Sequence, residues 1–331
     1  MQVFITGATG FLGKYLVAQL APHVEKIFVL TRNTSKNSFS HLSNVILVKG
    51  DITHSDIFSS DTDRLNVLNS VDIFVHAAAL YDIKGSYSDL YLHNVLGTQN
   101  ILSLLKKSST LKAFYYVSTI AVADENSYYL DEYSLPERKM FGDYYSQTKY
   151  AAEKLVRMDS LKVPLRIIRP GIIVGDSQTG AMEKIDGPYY FIEAIKKLKP
   201  VLNFTPFLPL AFNPNTKIPM IPVDHCANCI KDAILKDDYS SDLKTYHLIS
   251  DEIPTLKKFM GDIALKLGIN TKFIPIKNNK ISTEILPFLG VPKEVVPFMF
   301  SKVSYDKSLT LKDIPALKES RYSDYKDKLI L

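Results

Sequence analysis

"MQVFITGATGFLGKYLVAQL", residues 1–20, holds the stretch on which the fold turns. Its first six residues read as an apolar strand, and Phe11–Leu20 reads as an amphipathic helix. Between them runs "TGATGFLGK", Thr6 to Lys14, with glycines at 7, 10 and 13. Glycine permits a tight turn and close approach of backbone to a ligand. The start of a helix offers unpaired N–H groups and the positive end of a dipole, which suits a pyrophosphate. A glycine turn can also serve helix–strand packing alone. Three glycines at this spacing, in the first strand–helix turn of the chain, favour a dinucleotide cradle.

Further along, the same alternation repeats. Strands are predicted at residues 2–6, 26–31, 44–49, 72–76, 113–118 and 164–169, and the clearest helices at 11–20, 86–107 and 144–158. Such alternation reads as βαβ units and a parallel sheet, covered on both faces. Ligands of such sheets bind beyond the carboxyl ends of the strands. After Arg169 the pattern breaks into Pro-rich stretches such as "KPVLNFTPFLPLAFNPNTKIPMIP" (199–222). A strand at 244–249 is predicted to rejoin the sheet. The resulting division is a nucleotide-binding domain from residues 1–171 and 218–250, and a smaller, discontinuous substrate lobe from 172–217 and 251–331.

Composition bounds the function. The chain has 331 residues, of which 46% are hydrophobic and 23% charged, an ordinary globular balance. The net charge of +5 is spread along the chain, so no nucleic-acid footprint stands out, while anionic ligands are suited. No uninterrupted apolar run of about 18 residues predicts a membrane span. With a strand at the very start and no leader-like segment before it, a soluble cytoplasmic protein is the expectation. Cys226 and Cys229 are the only cysteines, and no second ligand pair accompanies them, so no metal is expected.

Three further patterns carry chemistry. A free ribose 2′-hydroxyl usually meets an acid about 20 residues past the glycines. Here the second strand ends in "VLTRNTSK", with Arg32 and no acid. Arg32 is either a partner for a 2′-phosphate or a solvated loop cation, and the first reading favours NADP(H) over NAD(H). In "YYSQTKYAAEK", Tyr145 and Lys149 stand four apart and so share a helix face. A nearby ammonium stabilises phenolate and equips a phenol for proton transfer. In "FYYVSTIAV", Ser118 and Thr119 end the fifth predicted strand, where a hydroxyl can meet a substrate carbonyl.

These pieces, with "GDI" (50–52), "VHAAAL" (75–80), "NVLGTQNIL" (94–102) and "RPGIIVG" (169–175), resemble the extended short-chain dehydrogenase/reductase superfamily in order and spacing over residues 1–175. The resemblance implies a doubly wound parallel Rossmann sheet with a smaller C-terminal substrate lobe, and Thr119, Tyr145 and Lys149 as a catalytic trio. It implies a cofactor site from Gly7, Thr9, Gly10, Phe11, Leu12 and Gly13, with Arg32, Asp51 and Ile52 toward the adenosine. Ala77, Ala78, Ala79 and Lys149 would lie toward the nicotinamide.

"GDSQTGAMEKIDGPYYF", residues 175–191, resembles the thioester-reductase-like branch, which includes fatty acyl-CoA reductases. It implies NADPH-dependent reduction of an acyl thioester, on CoA or an acyl carrier protein, to the aldehyde. Ser118, Tyr189, Tyr190 and Phe191 then become candidate substrate contacts, the three aromatics as walls of an apolar channel or, alternatively, as lobe packing. Two other functions use the same residues. One is an extended dehydrogenase acting on a secondary alcohol, a ketone or a nucleotide sugar. The other is a dinucleotide-sensing scaffold, which has no use for a proton donor. Oligomeric state is left open by the sequence.

Overall fold

The computed structural model describes residues 1–123, 128–138, 140–183, 185–276 and 291–330. In chain order, β1 Gln2–Thr6 leads to α1 Phe11–Leu20, β2 Lys26–Thr31, β3 Val45–Lys49, α2 Asp61–Ser70 and β4 Ile73–His76. A helical stretch follows in three parts: α3 Tyr87–Leu90, a π-type segment Tyr91–Leu96 and α4 Gly97–Leu105. Then come β5 Ala113–Val117, β6 Tyr129–Leu130, α5 Tyr144–Met158, β7 Leu165–Pro170 and β8 Ile172–Val174. After them run α6 Tyr189–Leu202, β9 Phe207–Ala211, β10 Met220–Pro222, α7 Val223–Leu235, β11 Leu243–Leu248, α8 Leu256–Lys266 and β12 Lys272–Ile276.

Seven strands form one parallel sheet in the order β11-β7-β5-β4-β1-β2-β3. The chain winds outward in opposite directions from β1, so the crevice for a ligand lies at the carboxyl ends of β1 and β4. Strand residues are buried on both sides, as parallel pairing under two helical layers requires. One face carries Phe4, Phe74 and Phe114, in register across β1, β4 and β5, with ring centroids 4.6 and 6.0 Å apart. On the other face, α1 buries Gly13, Leu16, Val17 and Leu20, a helical stripe that packs on α7.

A second core gathers Val174, Tyr189, Phe191, Ile192, Phe259 and Tyr325, among others, from α6, α8 and the helix Tyr322–Leu329. Ile314 and Leu317 join the first core instead, so the 251–331 stretch contributes to both.

Two local expectations differ from what is seen. The 86–107 helix is interrupted by the π-type segment, which widens the turn where Asn94 reaches across to neighbouring elements. The Pro-rich stretch 199–222 contains the end of α6 and two short strands. Pro200 lies in the last turn of α6, and Pro209 is exposed on β9, whose partner in a two-stranded sheet is β12. Proline is tolerated in edge strands because no central ladder needs its missing N–H. In the apolar stretch 285–300, residues 285–290 lie outside the described residues, while Val295 and Met299 are buried in the second core. No described helix is long and apolar enough to cross a membrane.

Candidate active site

The glycine turn is tightly built. Gly7 has φ +73°, and a Cβ there would stand 2.5 Å from the Ala77 carbonyl carbon and the Ala78 nitrogen. A Cβ at Gly13 would stand 2.2 Å from the Gly7 carbonyl oxygen. Gly10 caps α1 with no side-chain acceptor, and no acid lies in the first turn. The N–H groups of that turn therefore have no protein partner from a cap, and nothing of like charge competes with an anion. Thr9 and Gly10 are exposed and Phe11 and Leu12 half-buried around this helix start. These residues fit a dinucleotide pyrophosphate. Ala77 and Ala78 follow β4 and lie half-buried beside Gly7, with the Ala78 N–H donating to Thr6 Oγ1 at 3.3 Å, and Ala79 is exposed.

Toward the outer side of the sheet, Arg32 is exposed at the end of β2. Its charge reaches Asp51. Burial pushes the Asp51 carboxyl up, but hydrogen bonds from Thr53 and then the Arg32 charge hold it below the usual range. Asp51 Oδ1 accepts from the Thr53 N–H and hydroxyl, both at 2.9 Å. Ile52 is buried against the bare Cα of Gly97, where a Cβ would come within 2.9 Å.

Helix α5 begins at an Asp143 cap, whose carboxylate accepts from the Ser146 N–H and hydroxyl at 2.7 Å each. That start puts Tyr145 in the first turn and Lys149 one turn on. Tyr145 is half-buried and hydrogen-bonded to Thr119, the residue two past the end of β5. Burial raises the Tyr145 phenol, and the Thr119 bond opposes that rise. Lys149 is buried, donating to the Val117 carbonyl at 2.8 Å and the Tyr116 hydroxyl at 3.1 Å. Burial pulls its ammonium down to about 7, against the raising influence of Glu153.

Ser118 takes a different direction from Thr119. It is buried and donates to Glu153 at 2.6 Å. Glu153 is itself fully buried and also accepts from Arg157 at 2.8 Å and from Arg169 at 2.6 Å. The Ser118 hydroxyl therefore belongs to an ion-pair network beneath the site.

The 175–191 segment leaves β8 and crosses toward α1 before α6 begins. Asp176 bonds Tyr15, and Lys14 pairs with Glu183 at 2.5 Å. Ser177 donates to Asp224 at 2.6 Å. Tyr189 and Phe191 are buried in the second core, and the Tyr189 hydroxyl accepts from the Gly175 N–H at 2.8 Å. Tyr190 is half-buried, with Asp186, Asp82 and Glu294 near its hydroxyl.

Residue patterns did not single out several neighbours of Tyr145. Tyr81 meets it edge-to-face, with ring centroids 4.6 Å apart, and bonds Asp186. Asn94 Nδ2 donates to the Leu80 carbonyl and to Thr148 Oγ1, both at 3.1 Å, tying the π-type segment to α5. Position was the available signal: Tyr81 directly follows "HAAAL", and Asp186 opens "DGPYY". Cys226 and Cys229 are free and buried, and no cluster of metal-ligating side chains occurs among the described residues.

The chain matches the male sterility protein family over residues 5–230. It is 28% identical to the nonribosomal peptide synthetase asaC of Aspergillus flavus, covering 89% of this chain and 32% of that one. It is 25% identical to the fatty acyl-CoA reductase wat of Drosophila melanogaster, covering 78% of this chain and 60% of that one. It therefore spans less than two-thirds of those relatives. Among solved structures, the terminal R domain from the myxalamid PKS-NRPS biosynthetic pathway superposes with a TM-score of 0.77 at 23% identity, over 99% of this chain and 90% of that domain. The chain belongs to the male sterility protein family and has the fold of an extended short-chain dehydrogenase/reductase.

Proposed function

From that membership, we propose that the chain is an NADPH-dependent reductase that converts an apolar acyl thioester to its aldehyde. The observation that carries the reading is the Tyr145–Thr119 hydrogen bond at the carboxyl edge of the sheet, with Lys149 buried one turn along α5. When bound, NADPH supplies a hydride equivalent to the thioester carbonyl carbon. Tyr145 and Thr119 hold the carbonyl oxygen, and Tyr145 gives it a proton as negative charge develops there. Lys149 steadies the phenolate that remains and would hold the nicotinamide ribose of a bound cofactor. The resulting hemithioacetal then breaks its C–S bond, giving aldehyde and free thiol. Gly7, Thr9, Gly10, Phe11, Leu12 and Gly13 would hold the pyrophosphate side of the cofactor. Asp51 and Ile52 would hold the adenine, and Ala77–Ala79 would line the nicotinamide side.

Arg32 supports NADPH over NADH because an exposed guanidinium at the end of β2 can pair with a 2′-phosphate. Relatives named as a peptide synthetase and a fatty acyl-CoA reductase support a thioester substrate, carried on CoA or on an acyl carrier protein. The test is to incubate the protein with NADPH and a panel of acyl-CoAs, ketones, aldehydes and nucleotide sugars, following reduced nicotinamide by absorbance. Oxidation of NADPH with acyl-CoAs and release of free thiol supports the reading. Turnover confined to ketones or nucleotide sugars overturns it.

A further inference from the structure

A buried line of hydrogen bonds runs from Lys149 across the sheet edge to the glycine turn. Lys149 Nζ donates to the Tyr116 hydroxyl at 3.1 Å, and that hydroxyl bonds Thr98. Thr98 Oγ1 lies 3.1 Å from His76 Nε2, and His76 Nδ1 lies 2.6 Å from Thr6 Oγ1. Tyr116, Thr98, His76 and Thr6 are each no more than 1% exposed.

The directions of these bonds follow from the donors available. Thr98 donates its hydroxyl hydrogen to the Asn94 carbonyl at 2.6 Å, so toward Tyr116 and His76 it accepts. Hence Tyr116 donates to Thr98, and its lone pairs face the lysine. His76 is neutral, since burial, and then the charge of Lys149, pull it down to about 3. Its Nε2–H donates to Thr98, and its Nδ1 accepts from Thr6, whose oxygen accepts from the Ala78 N–H. The line thus ends at the Ala78 backbone N–H, and its branch at Thr98 ends at the Asn94 carbonyl.

Resting on the reductase reading, we propose that Tyr116 is a positioning residue for Lys149: its hydroxyl, oriented by Thr98, is a fixed acceptor that directs the lysine head group. Two of the three ammonium hydrogens are spent on Tyr116 and Val117, which leaves the third for the reacting side. A fixed acceptor also stabilises the charged lysine, working with Glu153 on α5 against burial. The charged and titratable groups facing Lys149 are Glu153 on its own helix, Tyr116 from β5 and His76 from β4, with Tyr145 acting on Tyr116 in turn.

Tyr116→Phe removes only the hydroxyl and keeps the ring, which lies 4.6 Å from the ammonium. The experiment is a pH titration of ¹³C-labelled lysines by NMR, with the Lys149 signal assigned from its loss in Lys149→Arg. The Lys149 midpoint is expected to fall by about one pH unit or more in Tyr116→Phe. The alkaline limb of kcat for thioester reduction should move down with it, with the KM for NADPH within about twofold. Thr98→Val should shift both in the same direction, and Thr98→Ser should restore them. An unchanged or raised Lys149 midpoint in soluble, folded Tyr116→Phe overturns the proposal, as does a Thr98→Val variant that behaves like the native protein. If the native protein reduces no thioester, the reductase reading fails separately, and the lysine titration still judges Tyr116.

Discussion

Gly13 and Gly10 stand three residues apart, yet the chain needs their missing side chains for different reasons. At Gly13 a methyl group would collide with the backbone of Gly7 and Ala8. Gly13→Ala should therefore destabilise the protein by about 2 kcal/mol or more, read from denaturant unfolding. At Gly10 the nearest atom to a Cβ is the Gly7 carbonyl oxygen at 3.3 Å, so Gly10→Ala should cost little stability while weakening NADPH binding in calorimetry. Tyr145→Phe should abolish turnover with cofactor affinity largely kept, because the phenol acts on the transition state. A Tyr145→Phe rate near the native one would mean that the phenol is not the proton donor. Lys149 makes a further prediction from its charge. Unfolded, a lysine holds its proton to about 10.5, whereas buried Lys149 loses it near 7. Between those values the unfolded chain binds the extra proton, so this group makes stability rise with pH across that window, and below it the cost of burying the charge is fully present. Lys149→Met should thus be more stable than the native protein at pH 7, with the gap in Tm shrinking toward pH 10.5. A gap that does not narrow would mean that Lys149 is charged throughout.

Helix α5 joins the site to its support. Its first turns carry Tyr145 and Lys149, and its third carries Glu153, which takes hydrogen bonds from Ser118, Arg157 and Arg169. Burial pushes the Glu153 carboxyl up, but Arg169, then Arg157 and Ser118, hold it below the usual range. Its contribution is present above the unfolded carboxylate pKa and lost as pH falls through the folded value. Arg169→Leu leaves a buried carboxylate short of a partner and should destabilise by about 3 kcal/mol at neutral pH, with the difference shrinking in acid. Elements of this kind were partly legible. The 144–158 helix and five of the first six strands show in apolar pattern within a residue at each end, because their periods are local. Most of the network around Glu153 was not legible: Arg157 stands four residues on along α5, but Ser118 and Arg169 are brought to Glu153 by pairing of β5 with β7 and packing of α5. Nor was the π-type segment, whose widened turn has no periodic signature. As strand-end hydroxyls Ser118 and Thr119 looked alike, and only the family resemblance favoured Thr119; the structure turns Ser118 inward to Glu153 and leaves Thr119 bonded to Tyr145.

At the scale of the molecule, the 175–191 segment ties the sheet to the second core. Lys14–Glu183, Tyr15–Asp176 and Ser177–Asp224 fasten its start to α1 and α7, and Tyr189 fastens its end by holding Gly175. The aromatic run was legible as a feature, but its division of labour was not, because a three-residue run at a helix start faces three ways. Tyr189 and Phe191 point into the core, so aspartate at either should unfold that part of the molecule and would say nothing about substrate. Tyr190 is half-buried and is the member of the run through which acyl chains can be tested. If an apolar chain is held on this side of the site, each methylene that fits adds about 0.8 kcal/mol, or roughly fourfold in binding. Catalytic efficiency should then climb with acyl length to a cutoff. Tyr190→Asp should flatten that climb while NADPH affinity stays near the native value. A nucleotide-sugar site depends on polar partners and has no such length series. Equal turnover of acetyl and dodecanoyl thioesters, or a climb that Tyr190→Asp leaves intact, would remove this face from the substrate path.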